Sequence, residues 1–287
     1  HDERGEGELN SERLRAYLGD RRFRFYDVTD STNERAKAWL REARAPGDAT
    51  AGRPESRGEA SSVETPPSGA LVIADRQESG RGRFGRSWET PAGLAVAMSA
   101  IMRTTGVSAL PMASALAVVD AIEPLLGDPV TLKWPNDVLV SGKKVCGVLI
   151  ESVMTGAGAL RGEVNGASSQ VTAVVGIGIN VAIDFAGGEL EGSATSLADH
   201  TDQPIDRAAL VATVVRRLEH WLIRDDLWSR WRDRLETLGQ TVEVRLADGS
   251  RITGEATEVE RDGRLVVRDR AGNCQTVSAG EVSLRSR

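Results

Sequence analysis

Residues 77–88 read Gln77-Glu78-Ser79-Gly80-Arg81-Gly82-Arg83-Phe84-Gly85-Arg86-Ser87-Trp88, and what stands on either side of them constrains the fold more than anything else in the chain. Gly80, Gly82 and Gly85 satisfy the G-x-G-x-x-G spacing of a dinucleotide-binding turn. That turn leads from a strand into a helix whose N-terminus receives a pyrophosphate. Here residues 69–75 read as a buried strand before the loop. Pro91-Ala92-Gly93 and a second strand-like run, residues 93–102, follow it. Strand, loop and strand do not make the parallel βαβ unit, so the dinucleotide reading is rejected. Glycines let a backbone approach a ligand closely, and arginines between them neutralise a phosphate or an acyl-phosphate. The pattern describes a flexible loop that closes over an anion; the plain alternative is an exposed basic hairpin.

The rest of the chain reads as an α+β body. Asn10 or Ser11 can cap a short helix with Leu14, Tyr17 and Leu18 on one face. Residues 22–28 alternate as a strand, and Asp30-Ser31-Thr32-Asn33 can cap a helix beginning near Glu34. Residues 44–68 lack apolar periodicity and read as a surface insertion rather than a domain boundary. A long apolar helix is expected over 107–126, strands over 130–134, 138–140, 144–152 and 171–181, with a Ser141-Gly142 turn, and two helices within 206–238. From Thr241 the character changes. Short alternating strands are punctuated by Asp248-Gly249, Asp262-Gly263 and Ala271-Gly272-Asn273, the spacing of a small β-barrel. The division expected is 1–238, with its insertion at 44–68, and 239–287.

Composition removes several classes of function. With three histidines in 287 residues, His1, His200 and His220, a His-based triad or His-rich metal site is not expected. A net charge of −6 argues against general nucleic-acid binding. No apolar run reaches the ~18 residues that would span a membrane, and residues 1–10 lack a signal peptide's apolar core. Cys146 and Cys274 cannot build a disulfide framework, and the cytoplasm is the simple compartment. Of 36 basic residues only Lys37, Lys133, Lys143 and Lys144 are lysines, and the last three fall within twelve positions. A compact ammonium differs from a guanidinium in hydration and donor geometry, so the cluster marks a candidate site; chance in a basic turn is the bland reading.

Three further segments carry chemistry. In Lys133-Trp134-Pro135-Asn136-Asp137 the proline ends strand pairing and frees Asn136 and Asp137 near a site. Lys144 opens the apolar run of Val145-Cys146-Gly147-Val148-Leu149-Ile150-Glu151, a good place from which to aim an ammonium. Gly176-Ile177-Gly178-Ile179-Asn180 puts two glycines in a strand, where they signal either close approach of a ligand or a bulge.

Together, Asp30-Ser31-Thr32-Asn33, the Gly/Arg loop 80–86, Lys133 to Asp137, Lys144 to Glu151 and Gly176 to Asn180 occur in the order seen in biotin protein ligases, which this chain resembles over about residues 25–222. The tail resembles that family's SH3-like C-terminal domain. The resemblance implies a mixed sheet flanked by helices, of the class II aminoacyl-tRNA synthetase-like biotin/lipoate ligase type, plus a small C-terminal β-barrel. It implies activation of biotin by ATP with Mg²⁺, then transfer to a lysine of a biotin carboxyl carrier protein domain of a biotin-dependent carboxylase. Ser31, Thr32, Asn33 and Gln77, with Gly80, Arg81 and Gly82 of the loop, match positions around the ureido head of biotin. Gly147 matches a close-packed residue beside its rings. Arg83 and Lys144 match positions near the biotin carboxylate and the α-phosphate, and are the expected catalytic cations. Trp88 matches an aromatic that stacks on adenine. Arg81, Arg86, Lys133, Asn136 and Asn180 match further nucleotide positions, and Asp137 an acid that holds Mg²⁺ or orients Arg83.

About 20 residues precede the first strand, too few for the three-helix DNA-binding module some members carry; no repressor role is expected. Phe84 stands where a further basic residue could sit. The rivals are a lipoate ligase, whose glycine loop lacks this Gly-Arg alternation, a non-catalytic biotin-responsive regulator, and a barrel acting as a peptide-binding module. Sheet edges leave open a homodimer or a carrier docking site.

Overall fold

The computed structural model describes residues 8–43, 65–153 and 170–284. The insertion read at 44–68 therefore lies outside the described residues except for its last four. Helix α1 (Ser11–Leu18) is capped by Asn10, whose side chain accepts from Arg13 N at 2.9 Å. Leu14 is buried, but Tyr17 is not on the inward face; its hydroxyl donates to Asp206 Oδ2 at 2.6 Å instead. Strand β1 (Phe23–Thr29) leads into α2 (Thr32–Glu42). This helix starts two residues before Glu34, with Ser31 as an N-cap whose side chain makes no capping bond. Asp30 is spent elsewhere, accepting from Ser31 N and Thr29 Oγ1.

Strands β2 (Ala70–Gln77), β3 (Ala95–Thr104), β4 (Val130–Lys133), β5 (Asp137–Val140), β6 (Lys143–Val153) and β7 (Val171–Asn180) complete a seven-stranded sheet in the order β1-β2-β3-β7-β6-β5-β4. Only the β1–β2 pair is parallel. Ser141 and Gly142 join β5 to β6, both at positive φ. Helix α3 (Ala109–Ile122) precedes β4, and α4 (Arg207–Leu222) and α5 (Leu227–Arg232) follow β7.

Side chains alternate across a strand, and both faces of this sheet are covered. Leu71, Ile73, Met98, Val175 and Ile177 pack with α3 and α4 in the main core, whereas Ala70, Val72, Ile101 and Val174 pack against Ala36, Trp39 and Leu40 of α2. That double burial explains the near-continuous apolar runs in β2, β3 and β7. Helix α2 is short, and covers only part of its face.

Five strands, β8 (Thr241–Arg245), β9 (Arg251–Val259), β10 (Leu265–Arg268), β11 (Cys274–Val277) and β12 (Glu281–Leu284), form a separate antiparallel sheet in the order β11-β10-β9-β8-β12. Gly249, Gly263 and Gly272 take positive φ at the three turns read from sequence. Helix ends before 233–238, because that segment bonds to the edge of the larger sheet: Leu132 N donates to Arg234 O at 2.9 Å and Glu236 N to Leu132 O at 3.0 Å. Tryptophans tie the two sheets together. Trp134 Nε1 donates to Gly263 O and Trp228 Nε1 to Glu260 O, each at 2.8 Å, and the apolar core runs through Trp134 and Trp231 into Val242, Val259 and Leu265. Trp134→Phe keeps most of the apolar contact and loses the bond to Gly263; it should cost about 1–3 kcal/mol. Urea unfolding reads this as a lower midpoint, and an unchanged midpoint would show that the bond does not help hold the second sheet.

Candidate active site

The face of the sheet shared with α2 changes composition where the helix stops. In β7, Gly176, Gly178 and Asn180 share the face of Val174, while Ile177 and Ile179 point into the main core. Register places Gly147 opposite Gly178 and Glu151 opposite Val174, and Asp137 opposite Gly147. Ser99 of β3 lies opposite Gly176. A floor of glycines edged with polar groups therefore begins at the N-terminus of α2.

The polar end of this floor is a closed hydrogen-bond network. Gln77 Oε1 accepts from Thr32 N at 2.8 Å and lies 3.1 Å from Thr32 Oγ1, while Gln77 Nε2 donates to Thr90 Oγ1 at 3.1 Å. Ser99 Oγ is 2.8 Å from Thr32 Oγ1 and donates to Asn33 Oδ1 at 2.6 Å. Asn33 Nδ2 donates to Glu151 Oε2 at 2.7 Å, and Lys37 Nζ bridges Glu34 and Glu151 at 2.8 and 2.9 Å. Burial works against the Glu151 charge, but the bonds from Lys37 and Asn33 outweigh it, and its pKa falls below the usual carboxylate value. Ser31, Thr32 and Asn33 are all buried. Gly176 makes this possible: a Cβ there would overlap Asn33 Oδ1.

Trp88 lies on the glycine floor. A Cβ at 178 would overlap its indole nitrogen, and one at 147 would stand 3.2 Å from Cζ3. Its Nε1 is buried and has no acceptor among the described residues. Gly80 holds the loop in register, since its carbonyl accepts from Trp88 N at 2.8 Å and a Cβ at that position would run into Trp88 O.

At the far end Lys144 pairs with Asp137, and Arg83 bonds to the neighbouring Asn136. Lys144 Nζ is 2.6 Å from Asp137 Oδ1 and 5.3 Å from the centroid of the Trp88 ring. Arg83 donates at 3.3 Å to both Asn136 Oδ1 and Gly280 O. Burial lowers the Arg83 pKa, opposed by the attraction of Asp137. Arg83 opens a short 3₁₀ turn, Arg83–Gly85, in which Phe84 takes φ 58. The Lys144 backbone and Asn180 meet here as well: Asn180 Nδ2 donates to Thr195 O at 3.1 Å and Lys144 O at 3.4 Å. Asn136 donates to Val148 O, and Lys133 pairs with Asp137 across β4 and β5.

The structure thus brings together Ser31, Thr32, Asn33 and Gln77 at one end and Arg83, Asn136, Asp137 and Lys144 at the other, with Trp88, Gly147 and Gly178 between. It directs two loop arginines elsewhere. Arg81 Nη1 binds Glu34 Oε1 at 3.0 Å, and Arg86 pairs with Glu281 of β12. Sequence reasoning missed Ser99, Glu151, Lys37 and Thr90. Ser99 had a visible signal, the one hydroxyl in the run Ala-Val-Ala-Met-Ser-Ala-Ile-Met; a buried polar group in such a run needs a partner.

Known proteins resemble the chain in both of its parts. Residues 55–165 match the biotin/lipoate A/B protein ligase family and residues 237–285 the biotin protein ligase C-terminal domain. The chain is 34% identical over 227 residues to a biotin–[acetyl-CoA-carboxylase] ligase of Mycobacterium tuberculosis, covering 75% of this chain and 78% of that one. It is 32% identical over 229 residues to the enzyme of the same name from Paracoccus denitrificans, covering 74% and 89%. Biotin protein ligase from Aquifex aeolicus in complex with biotin and ATP superposes with a TM-score of 0.67 at 26% identity, covering 93% of this chain and 99% of that one. The chain belongs to the biotin protein ligase family.

Gly178→Ala should expel Trp88 from the floor without changing strand β7. The indole Nε1–H resonance of Trp88 in an amide-correlation spectrum, assigned through Trp88→Phe, should then move; a resonance left in place would mean that the indole does not rest on Gly178.

Proposed function

We propose that this chain is an ATP-dependent biotin–protein ligase that joins biotin to AMP, then passes the biotinyl group to a lysine of a carrier protein. The observation that carries this reading is the placement of Arg83 on Asn136 and Lys144 on Asp137, one glycine floor away from the Thr32–Gln77–Ser99 network. The network supplies fixed donors and acceptors for a polar cyclic urea. The glycine floor next to it carries the Trp88 ring. The cations await the two anions that must react.

In the first half-reaction the biotin carboxylate attacks the α-phosphorus of ATP and pyrophosphate leaves. A carboxylate is already an anionic nucleophile, so no general base is required. The obstacle is repulsion between two anions and the charge that grows in the transition state. Arg83 and Lys144 lower it; one preorganised donor is typically worth about 3 kcal/mol. Trp88 offers its ring to adenine, with Lys133, Asn136 and Asn180 around the nucleotide. Mg²⁺ is expected to arrive with ATP. Asp137, the carboxylate beside Lys144, would be its protein ligand, and a single carboxylate is a usual protein share for Mg²⁺. Bound, it would add positive charge opposite the phosphates. In the second half-reaction the carrier lysine attacks the mixed anhydride and AMP leaves.

We place the domain division after residue 238, where the strand-like 234–237 link gives way to β8. The outer edge of β1 has no partner strand among the described residues, and would suit the carrier or a second copy. No described helix is long and apolar enough to cross a membrane; an ATP supply and two free cysteines fit the cytoplasm.

Incubation with biotin, α-labelled ATP and Mg²⁺ should yield a biotin-dependent labelled adenylate that stays with the protein. Label with lipoate alone would move the reading to lipoate activation, and none with either would leave a regulator. Arg83→Gly should release the adenylate and biotinylate lysines on unrelated proteins, read by avidin blotting; labelling confined to the carrier would show that Arg83 does not retain the adenylate. Lys144→Gln should slow pyrophosphate release about a hundredfold, and near-normal rates would show that its ammonium does not stabilise the transition state.

A further inference from the structure

The sheet holds Lys144 on one side only, through its β5 partner Leu139. Strand β7 ends at Asn180, and the last β6–β7 pair is Cys146 with Ile179, so no β7 backbone pairs with Lys144 and only the Asn180 side chain reaches it, at 3.4 Å. On the other side the β5–β6 register shifts between Val138 and Leu139, next to the residue that pairs with Lys144. A short segment takes the place of the missing strand, making one isolated parallel bridge between Ala194 and Lys144. Lys144 N donates to Ser193 O at 2.9 Å, and Thr195 N donates to Lys144 O at 3.0 Å. The Thr195 carbonyl then receives the Asn180 amide. Both the ammonium-bearing residue and the asparagine beside it are thus fixed by residues 193–195.

Side chains fix that segment in turn. The buried Thr195 hydroxyl lies 2.8 Å from Asp199 Oδ2 and 2.9 Å from His200 Nε2. Asp199 Oδ2 also accepts from Ser196 N at 2.9 Å, and Ser196 Oγ donates to Ile183 O at 2.8 Å. The other nitrogen of His200, Nδ1, lies 2.7 Å from Asp128 Oδ2 in the turn before β4. Asp128 is half exposed while the His200 ring is nearly buried, so the chain of bonds runs inward from the surface to the Lys144 backbone. Nothing in adenylation uses Thr195, His200 or Asp128 directly.

We propose that Thr195, His200 and Asp128 are positioning residues for adenylation, a latch that holds Lys144 and Asn180 by their shared contacts with residues 193–195. The inference rests on the adenylation reading of Lys144. Thr195→Val removes the hydroxyl at constant size. It should lower kcat for biotin-dependent pyrophosphate release and raise KM for ATP, by about tenfold in their ratio, the weight of one buried hydrogen bond. The Kd for biotin, whose head would lie at Thr32 and Gln77, should stay within about twofold, because a single hydrogen bond lost elsewhere leaves those contacts in place, and Thr195→Ser should restore the rate. Equal losses in ATP and biotin binding, or unchanged kinetics with a lower Tm, would overturn the proposal. Amide exchange supplies a readout independent of activity: Thr195→Val should speed exchange at the Lys144 and Thr195 amides, and an unchanged Lys144 amide would overturn the latch. If the unaltered protein released no pyrophosphate, the adenylation reading would fail alone while exchange still judged the latch. Should Thr195→Val not fold, Asp128→Ala, at the exposed end of the chain of bonds, carries the same pair of tests with a smaller effect expected.

Discussion

One strand with two different sides makes the site possible. Gly-Ile-Gly-Ile-Asn in β7 gives the core its isoleucines, and gives the opposite face no side chain until Asn180. Both halves of that alternation are needed. Larger residues at 176 and 178 would occupy the volume where Asn33 and Trp88 lie; smaller ones at 177 and 179 would weaken the layer under α3 and α4, where a lost large side chain costs ~2–5 kcal/mol. Gly147, opposite Gly178 in β6, widens the floor by one strand. The sheet is therefore sealed on one side by aliphatic packing and open on the other, and the ends of the open strip fall where α2 begins and where β5 offers Asp137.

Much of this was legible because it depends on periods. Alternation gave β1 and apolar runs bounded by turns gave the other strands of the larger sheet to within a few residues, and the Asp-Gly and Gly-Asn turns gave a second sheet of four or five strands, of which the structure has five. The glycines of β7 could be read as a bulge or as close approach, and the register decides for close approach: β7 is continuous, and the space is filled from other elements. What periodicity could not give is direction. Arg81, Arg83 and Arg86 alternate so regularly with glycine that they read as one anion-binding set. In the folded chain they go to α2, to Asn136 and to β12 respectively, because Phe84 at φ 58 turns the loop within three residues. Which carboxylate each arginine meets is a tertiary fact. The start of α2 departs from expectation for a related reason: Asp30 has the chemistry of a cap, but its carboxylate serves Ser31 N and Thr29, and the network through Thr32 and Gln77 fixes the first turn instead.

The segment 193–200 left even less trace. It has no period, and its bonds pair residues that are 72 apart, as in His200 with Asp128, or lie on the end of another strand, as with Asn180. Such a segment replaces a strand without looking like one. The sequence of Ala194-Thr195-Ser196-Leu197 carries two hydroxyls that are both buried, and buried hydroxyls must find partners; only the folded chain says which.

The electrostatics of the far end follow from counting. Arg83 and Lys144 bring two positive charges to one carboxylate, Asp137, and burial raises the cost of leaving the Arg83 charge uncompensated. The pair Lys144–Asp137 is partly buried, where an ion pair roughly balances its desolvation rather than adding much stability. Its value is geometric: it holds a flexible four-carbon chain beside the Trp88 ring. The excess positive charge then favours an anionic guest, and two anions brought together gain more from it than either alone, since repulsion between them is the term the cations reduce. The lysine-poor composition fits this arrangement, with Arg81, Arg83 and Arg86 holding the loop to its neighbours and the compact ammonium of Lys144 held beside Asp137.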